Sequence, residues 1–520
     1  MCGIFFEGEL KMNRTLTDKI ELQFLMTSDS ITVFFDKPEK LPKEYQYEIF
    51  LNGKLAGESD KTHFLLEGLD SGTDYDVQIK VMSQGKELEK SAAIRVHTSA
   101  AGKRLDVTKA PYMAAGDGGV MDTQAIQKAI NDCKAGDVVY LPAGIYKTGA
   151  LRLHSDMELY LEEGATLQGT DCPEDYLPRI RSRFEGTELA CYSSLLNMGE
   201  LDHAGGPGCE NILIRGKGTI ASGGRILAEK IISSETERLK DELTALGDKI
   251  RECEKAETIP GRVRPRLINI SNCKNVRVSG VTLKNGASWN VHMIYSEGIV
   301  TDHCRFYSED VWNGDGWDPD SSSNCVIFGC LFYTGDDSIA IKSGKNPEGN
   351  AIGRPSCNIK IFDCRCAFGH GITIGSEMSG GVEGIKIWDC DMGDSLFGIE
   401  IKGTKKRGGY VRNVYVRDCR VARLLFHAVG YNDDGISAAA APVFEDCTFR
   451  NVWITGKCLD HDGEYHEADC MELAGFDEPE HALKNITLEN VTLGIMDEPR
   501  RQTLVLQACE GISICNLKCL

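Results

Sequence analysis

Three aspartates, a histidine and a lysine stand close enough along this chain to act on one substrate, provided the fold turns them to one face. They lie in four short polar signatures: Asn313-Gly314-Asp315-Gly316-Trp317-Asp318, Gly335-Asp336-Asp337-Ser338, Gly369-His370-Gly371 and Glu400-Ile401-Lys402. Each interrupts an apolar, strand-like run. Asp315 to Asp337 spans 22 residues, Asp337 to His370 33, and His370 to Lys402 32. If each interval is one turn of a parallel solenoid, these side chains occupy successive rungs about 4.8 Å apart. Cleaving a glycosidic bond needs one carboxylic acid to protonate the leaving oxygen and a carboxylate working on the other side. Adjacent carboxylates also push each other's pKa apart, so that one keeps a proton near neutrality. Asp336-Asp337, with Asp315 one rung away, supplies those groups. Neighbouring strand residues point to opposite faces, so the two aspartates converge only on an irregular backbone, which Gly335 permits.

The elements that must position these groups repeat along the chain. From about residue 150 the sequence cycles through apolar alternation, an Asn or Asp, often a Cys, and another apolar pair. Examples are Val326-Ile327-Phe328-Gly329-Cys330, Ile359-Lys360-Ile361-Phe362-Asp363-Cys364, Ile385-Lys386-Ile387-Trp388-Asp389-Cys390 and Val414-Tyr415-Val416-Arg417-Asp418-Cys419. Short strands at this period predict a solenoid whose coils bury their faces only against one another. The recurring cysteines read as a stacked ladder of small apolar side chains rather than a thiol site. Cys458, His461, His466 and Cys470 match no common zinc spacing. Asp433-Asp434-Gly435 reads as a loop. A charged, helix-forming stretch over 235–255 breaks the rhythm and predicts an amphipathic helical insertion, which could wall off one end of a groove or support a dimer.

Ahead of the solenoid, residues 19–98 predict a compact β unit. Strands such as Ile31-Thr32-Val33-Phe34-Phe35 and Tyr75-Asp76-Val77-Gln78-Ile79 alternate with the turn signals Asn52-Gly53 and Asp70-Ser71-Gly72. Residues 1–18 form a leader, 99–103 a small-residue linker, and 104–520 the solenoid domain. The leader lacks a basic region followed by an apolar core, so it does not read as a secretory signal. Met1-Cys2-Gly3-Ile4 matches the opening of amidotransferases with a nucleophilic second residue, but the residues after Ile4 do not continue that pattern.

The 520 residues carry a formal net charge of -20, with 42% apolar and 26% charged positions. That charge argues against nucleic-acid and anionic-membrane partners, and a polyanionic substrate would need a locally basic site. No stretch is long and apolar enough to span a bilayer. The 21 cysteines are odd in number and scattered through strands, which fits free thiols and a reducing cytoplasm better than a disulfide framework.

The four signatures, with Trp289 after Asn285-Gly286-Ala287-Ser288 and with Ser376-Glu377-Met378-Ser379-Gly380-Gly381, resemble glycoside hydrolase family 28, the polygalacturonases. The glutamate-containing segment is most similar to bacterial exo-acting members. The resemblance runs from about residue 104 to the C-terminus and implies a right-handed parallel β-helix of the pectin-lyase type. Around Leu66-Glu67-Gly68-Leu69 and Tyr75, the preceding unit resembles a fibronectin type III β-sandwich. By position, the family resemblance implies Asp336 as general acid, Asp315 and Asp337 as the residues that hold and deprotonate water, and His370 as the group that tunes the acid. Asn313, Lys402, Glu377 and Trp289 are implied sugar-binding residues. It also implies inversion of configuration, hence carboxylates roughly 6.5–9.5 Å apart, and no metal or other cofactor.

One position departs from the family. Its last motif reads Arg-Ile-Lys, whereas this chain has Glu400. A carboxylate cannot grip a uronate as a bidentate guanidinium does. Either Lys405, Lys406 or Arg407 compensates, or the sugar on that side is neutral. The expectation is therefore an all-β, cytoplasmic, exo-acting hydrolase of α-linked, galacturonate-containing oligosaccharides. The rival inside the class is a hydrolase of rhamnogalacturonan or another non-homogalacturonan linkage. Beyond it stand a Ca²⁺-dependent pectate-lyase-like enzyme and a carbohydrate-binding adhesin.

Overall fold

The computed structural model describes residues 20–247, 259–430, 436–494 and 504–520. The leader, Asp433-Asp434-Gly435 and the end of the helical insertion lie outside them. The described residues form two compact units, the first running to Leu105 and taking in 133–138 and 156–158.

In the first unit, Gln23–Met26, Ser30–Phe34 and His63–Glu67 form one antiparallel sheet, and Lys54–Ser59, Gln46–Leu51, Asp74–Ser83, Lys86–Lys90 and Ile94–His97 form another. Strict alternation puts Tyr75, Val77, Ile79 and Val81 inward from one strand, against Ile31, Val33, Phe35, Tyr47 and Ile49. This layout fits a β-sandwich. The hydroxyl of Tyr75 accepts a hydrogen bond from the backbone N–H of Asp70 at 2.9 Å, tying down the preceding turn.

The second unit is a right-handed parallel β-helix. One of its parallel ladders runs through Cys273–Ser279, Glu297–Asp302, Val326–Phe328, Ser356–Phe362, Val382–Trp388 and Tyr410–Val421. Equivalent residues meet across coils: Ile359 lies beside Ile385, and Ile385 beside Val414. Identical contacts therefore stack. Phe328, Phe362 and Trp388 pile ring on ring at 4.8 and 4.3 Å, and Phe306 lies 4.5 Å from Phe332. Cys330, Cys364, Cys390 and Cys419 form the expected ladder of buried free thiols, each donating to the carbonyl two residues earlier. Burial pushes all four thiols well up, which leaves them neutral and inert.

The coils turn at residues with positive φ, and the repeat's Asn supplies many of them, since its short amide tolerates the left-handed region. Asn516 donates its amide to Asn490, and Asn490 to Asn451, at 2.6 and 3.1 Å. A ladder of side-chain amides thus runs along that corner.

The second long sheet positions the site. Among the described residues its eleven strands include Ile268–Ser271, Val291–Ile294, Trp317–Asp320, Ile339–Ile341, Gly371–Ile374, Gly398–Gly403, Arg423–Ala428 and Met471–Ala474. The helical insertion differs from the sequence expectation. Its first helix spans Gly224–Arg238, beginning well before residue 235, and Lys240–Leu246 comes next. The apolar positions that seat it, Leu227, Ala228 and Ile231, precede the charged run that drew attention to the segment. Glu235 is buried there in ion pairs with Arg179 and Arg238.

Candidate active site

The hydrogen-bond register puts the four signatures on consecutive coils. The N–H of Gly316 donates to Asp337 O at 3.0 Å, that of Ser338 donates to Gly371 O at 2.9 Å, and Ile372 pairs with Ile399. Each interval of 22, 33 or 32 residues is thus one turn. The extra residues of the longer turns lie outside the ladder.

Two carboxylates and an imidazole meet at its centre. His370 Nδ1 lies 2.9 Å from Asp336 Oδ1 and 3.2 Å from Asp337 Oδ1. The Thr373 hydroxyl donates to the same Asp337 oxygen at 2.7 Å. Burial disfavours a charge on His370, but the two aspartates outweigh it and lift the imidazole to about 10. Burial also opposes the charge on Asp337, yet Lys402 and His370 hold its carboxyl well below the usual range. Asp336 is the most open of the group, its side chain 26% exposed against 7% for Asp337. The irregular backbone expected around Gly335 is realised. Asp337 N donates to Asp336 Oδ1 at 3.0 Å, which folds the Asp336 carboxylate back beside its neighbour. Ligand atoms of Asp336, Asp337 and His370 lie within 4.8 Å of one another. In this geometry the imidazolium already supplies the positive charge between the carboxylates.

On the preceding coil Asp315 is buried, with Lys342 Nζ 2.9 Å from its Oδ2. Asp318 lies 3.9 Å from the same ammonium and has no hydrogen-bond partner on either oxygen among the described residues. Burial lifts both carboxyls, Lys342 opposes it, and neighbouring aspartates add to it. Lys342 stands closer to Asp315 than to Asp318, at 2.9 against 3.9 Å. Burial raises the proton affinity of Asp315, which suits a base that must take a proton from water.

The remaining expected residues surround this centre. Asn313, at φ 49°, accepts a 2.6 Å hydrogen bond from Arg264. Glu377 stands between Lys342 and Arg407, 3.6 Å from each. Trp289 is not open to a ligand: it is 1% exposed, stacked on Phe184, with the Lys342 ammonium 3.8 Å above its ring. It acts as a wall behind the lysine. Glu400 is buried, and pairs with Lys402 Nζ and His427 Nε2 at 2.8 Å each. Arg407 is buried beside Glu377, and Lys405 faces Asp477 and Glu478 at 3.3 and 3.8 Å.

Several neighbours do not stand out in the sequence. Lys342 ends an apolar strand, and its only signal is charge in a buried run. Arg264-Pro265-Arg266 shows itself as clustered arginine ahead of a strand. His461 comes from the hairpin Lys457–Leu459/Tyr465–Glu467 and lies with Nε2 3.2 Å from His370 Nε2. A second hairpin, Ile180–Phe184 with Thr187–Cys191, carries Arg183 onto Asp320 at 2.7 Å. Its tip is fastened: Gly186 O accepts from Lys345 N at 2.9 Å, and Glu185 pairs with Arg262 at 2.6 Å. Gly186 is required there, because a Cβ would meet the Lys345 backbone at 2.5 Å.

Residues 179–426 match the model for glycosyl hydrolases family 28. An endo-polygalacturonase of Pectobacterium parmentieri is 31% identical over 353 residues, covering 64% of this chain and 77% of that protein. An exo-poly-alpha-D-galacturonosidase of Dickeya chrysanthemi is 27% identical over 492 residues, covering 84% of this chain and 81% of that protein. The fold superposes on the family 28 exopolygalacturonase of Yersinia enterocolitica with a TM-score of 0.78, at 24% identity over 96% of both chains.

Proposed function

From the premise that the chain belongs to the glycosyl hydrolases of family 28, and is therefore a glycoside hydrolase, we propose that it releases sugar from the end of α-linked, galacturonate-containing oligosaccharides with inversion. The observation that carries this reading is the convergence of Asp315, Asp336, Asp337 and His370 from three successive coils. Asp336, the member most open to solvent, gives its proton to the glycosidic oxygen as the C–O bond breaks. Water attacks the anomeric carbon from the opposite face, and its proton passes to Asp315 or to Asp337, which is kept ionised by its neighbours. His370 touches both adjacent carboxyls, and solvent returns a proton to Asp336 after the bond is broken.

The activities of the Dickeya and Pectobacterium relatives support galacturonan as the substrate class. Local charge supports it too: Arg183, Arg264, Arg266 and Lys342 are gathered near the reaction centre of a chain whose net charge is -20. Exo action is supported by the similarity to an exo-acting relative that covers most of the chain.

The test is reducing-end release from tri-galacturonate, with product sizes and anomeric configuration followed early in the reaction. Monomer should appear first and in inverted form. Asp336→Asn should lower kcat by about 10²–10⁴-fold, the usual worth of a general acid. Unsaturated, ultraviolet-absorbing products that disappear with chelator would show a lyase instead.

A further inference from the structure

We propose that the floor of the groove built from Glu400, Lys402, His427 and Glu472 receives an uncharged sugar, so that the scissile bond joins a terminal uronate to a neutral residue. This rests on the proposed hydrolysis of galacturonate-containing oligosaccharides and specifies the substrate on the second side of the bond.

The register puts these four side chains together. Glu400 pairs with Leu425 and Leu425 with Glu472 on successive coils, while Lys402 lies beside His427. Glu400 is 3% exposed, and its two oxygens meet Lys402 and His427 at 2.8 Å. His427 Nδ1 lies 3.5 Å from Glu472 Oε2. Burial works against charge on Glu400 and His427, but their mutual contact prevails: the carboxyl is held below its ordinary range and the imidazole is lifted to about 9. Two cations and two carboxylates therefore balance, and the cations are already engaged. A uronate carboxylate arriving here would face Glu400 and Glu472 with no surplus positive charge to receive it.

The nearby basic residues do not restore that surplus. Lys405 is paired outward with Asp477 and Glu478, and Arg407 is buried against Glu377. What the four residues offer is a mixture of donors and acceptors, which suits hydroxyl groups. The other side of the centre differs in charge. Arg183, Arg264, Arg266 and Lys342 stand there with Asp315, Asp318, Asp320 and Glu377. Nε of Arg183 and of Arg266 is buried without a hydrogen-bond partner among the described residues. Four cations gather on that side and two on the Glu400 side, so the uronate is assigned to the first and the neutral group to the second.

The experiment compares kcat/KM of the full chain on three substrates sharing a terminal galacturonate: digalacturonate, its methyl ester at the second residue, and galacturonosyl-rhamnose. The expected result is that at least one of the two uncharged acceptors is cleaved about tenfold faster than digalacturonate. Glu400→Arg should move the ratio toward digalacturonate by about tenfold, chiefly through a lower KM. Preference for the ester alone would identify esterified uronate as the neutral group, and preference for the rhamnoside a neutral sugar. Digalacturonate cleaved as fast as both, or faster, by the unmodified enzyme overturns the inference and leaves the parent reading intact, whether or not the variant folds. No cleavage of any of the three, or of tri-galacturonate, overturns the parent reading itself.

Discussion

The two ladders of the β-helix share one geometry and carry opposite contents. Along the ladder through Phe328, Phe362 and Trp388, each coil repeats the previous one, and aromatic rings and thiols stack on their own kind. Along the ladder through Asp318, Thr373 and Glu400, successive coils differ, and buried charges are held by partners on the same or an adjacent coil. The first arrangement draws its stability from apolar burial and dispersion between like neighbours. The second carries buried ions that cost stability unless each is paired. The repetitive ladder supplies the rigidity that lets the other keep an unfavourable but reactive set of groups.

That contrast is most sharply broken at Lys342, the ammonium that faces Asp315, Asp318 and Glu377 together. Lys342→Met should destabilise the fold by about 3–5 kcal/mol, the usual effect of removing one partner from a buried ionic group. It should also abolish measurable turnover. Adding Asp318→Asn should recover part of the melting temperature and none of the activity. A recovery of both would mean that Lys342 serves the fold alone.

On the repetitive ladder, Phe362→Ala removes the middle ring of a three-ring stack. About 3–5 kcal/mol of stability should be lost through the cavity. Turnover per folded molecule, measured below the new transition, should stay within about twofold of the parent. A large fall in turnover would show that the two ladders are mechanically coupled.

The smallest expected effect is in pH dependence. His370 has a folded-state value of about 10, above its ordinary value of 6.5, because Asp336 and Asp337 share its proton against the cost of burial. A raised value means that its contribution to stability is full below pH 6.5 and is lost as pH climbs toward 10. His427, at about 9, adds in the same direction. The charged and titratable groups facing His370 are Asp336, Asp337 and His461. Melting temperature should therefore decline between pH 7 and 10, and His370→Gln should flatten that decline. An unchanged slope in the variant would remove His370 from the linkage.

The repeat made the β-helix legible in the sequence, because alternation, corner Asn and Cys recur at coil length and the register reproduces their alignment at Ile359, Ile385 and Val414. The convergence of Asp336, Asp337 and His370 was legible because glycines and paired acids interrupt apolar runs. What stayed hidden depends on partners distant along the chain. Nothing local to Glu400 reveals that His427, on the next coil, holds its second oxygen. His461 reaches His370 across 91 residues. Trp289 illustrates the opposite case: its position suggested a sugar platform, but Phe184 from the hairpin and Lys342 from a later coil cover its two sides. The helical insertion begins earlier than its charged run suggests, because charge is more conspicuous in a sequence than the apolar positions 227, 228 and 231 that seat it.

The amide ladder through Asn451, Asn490 and Asn516 fastens coil to coil while leaving each coil free to differ in length. The intervals of 22, 33 and 32 residues between reactive groups show how far that freedom extends. Segments looping out of a coil can lengthen, shorten or be exchanged while the rung spacing, and with it the placement of acid and base, stays fixed. Natural variation in such a molecule can explore new substrates one loop at a time, without passing through ancestors that have lost the reaction.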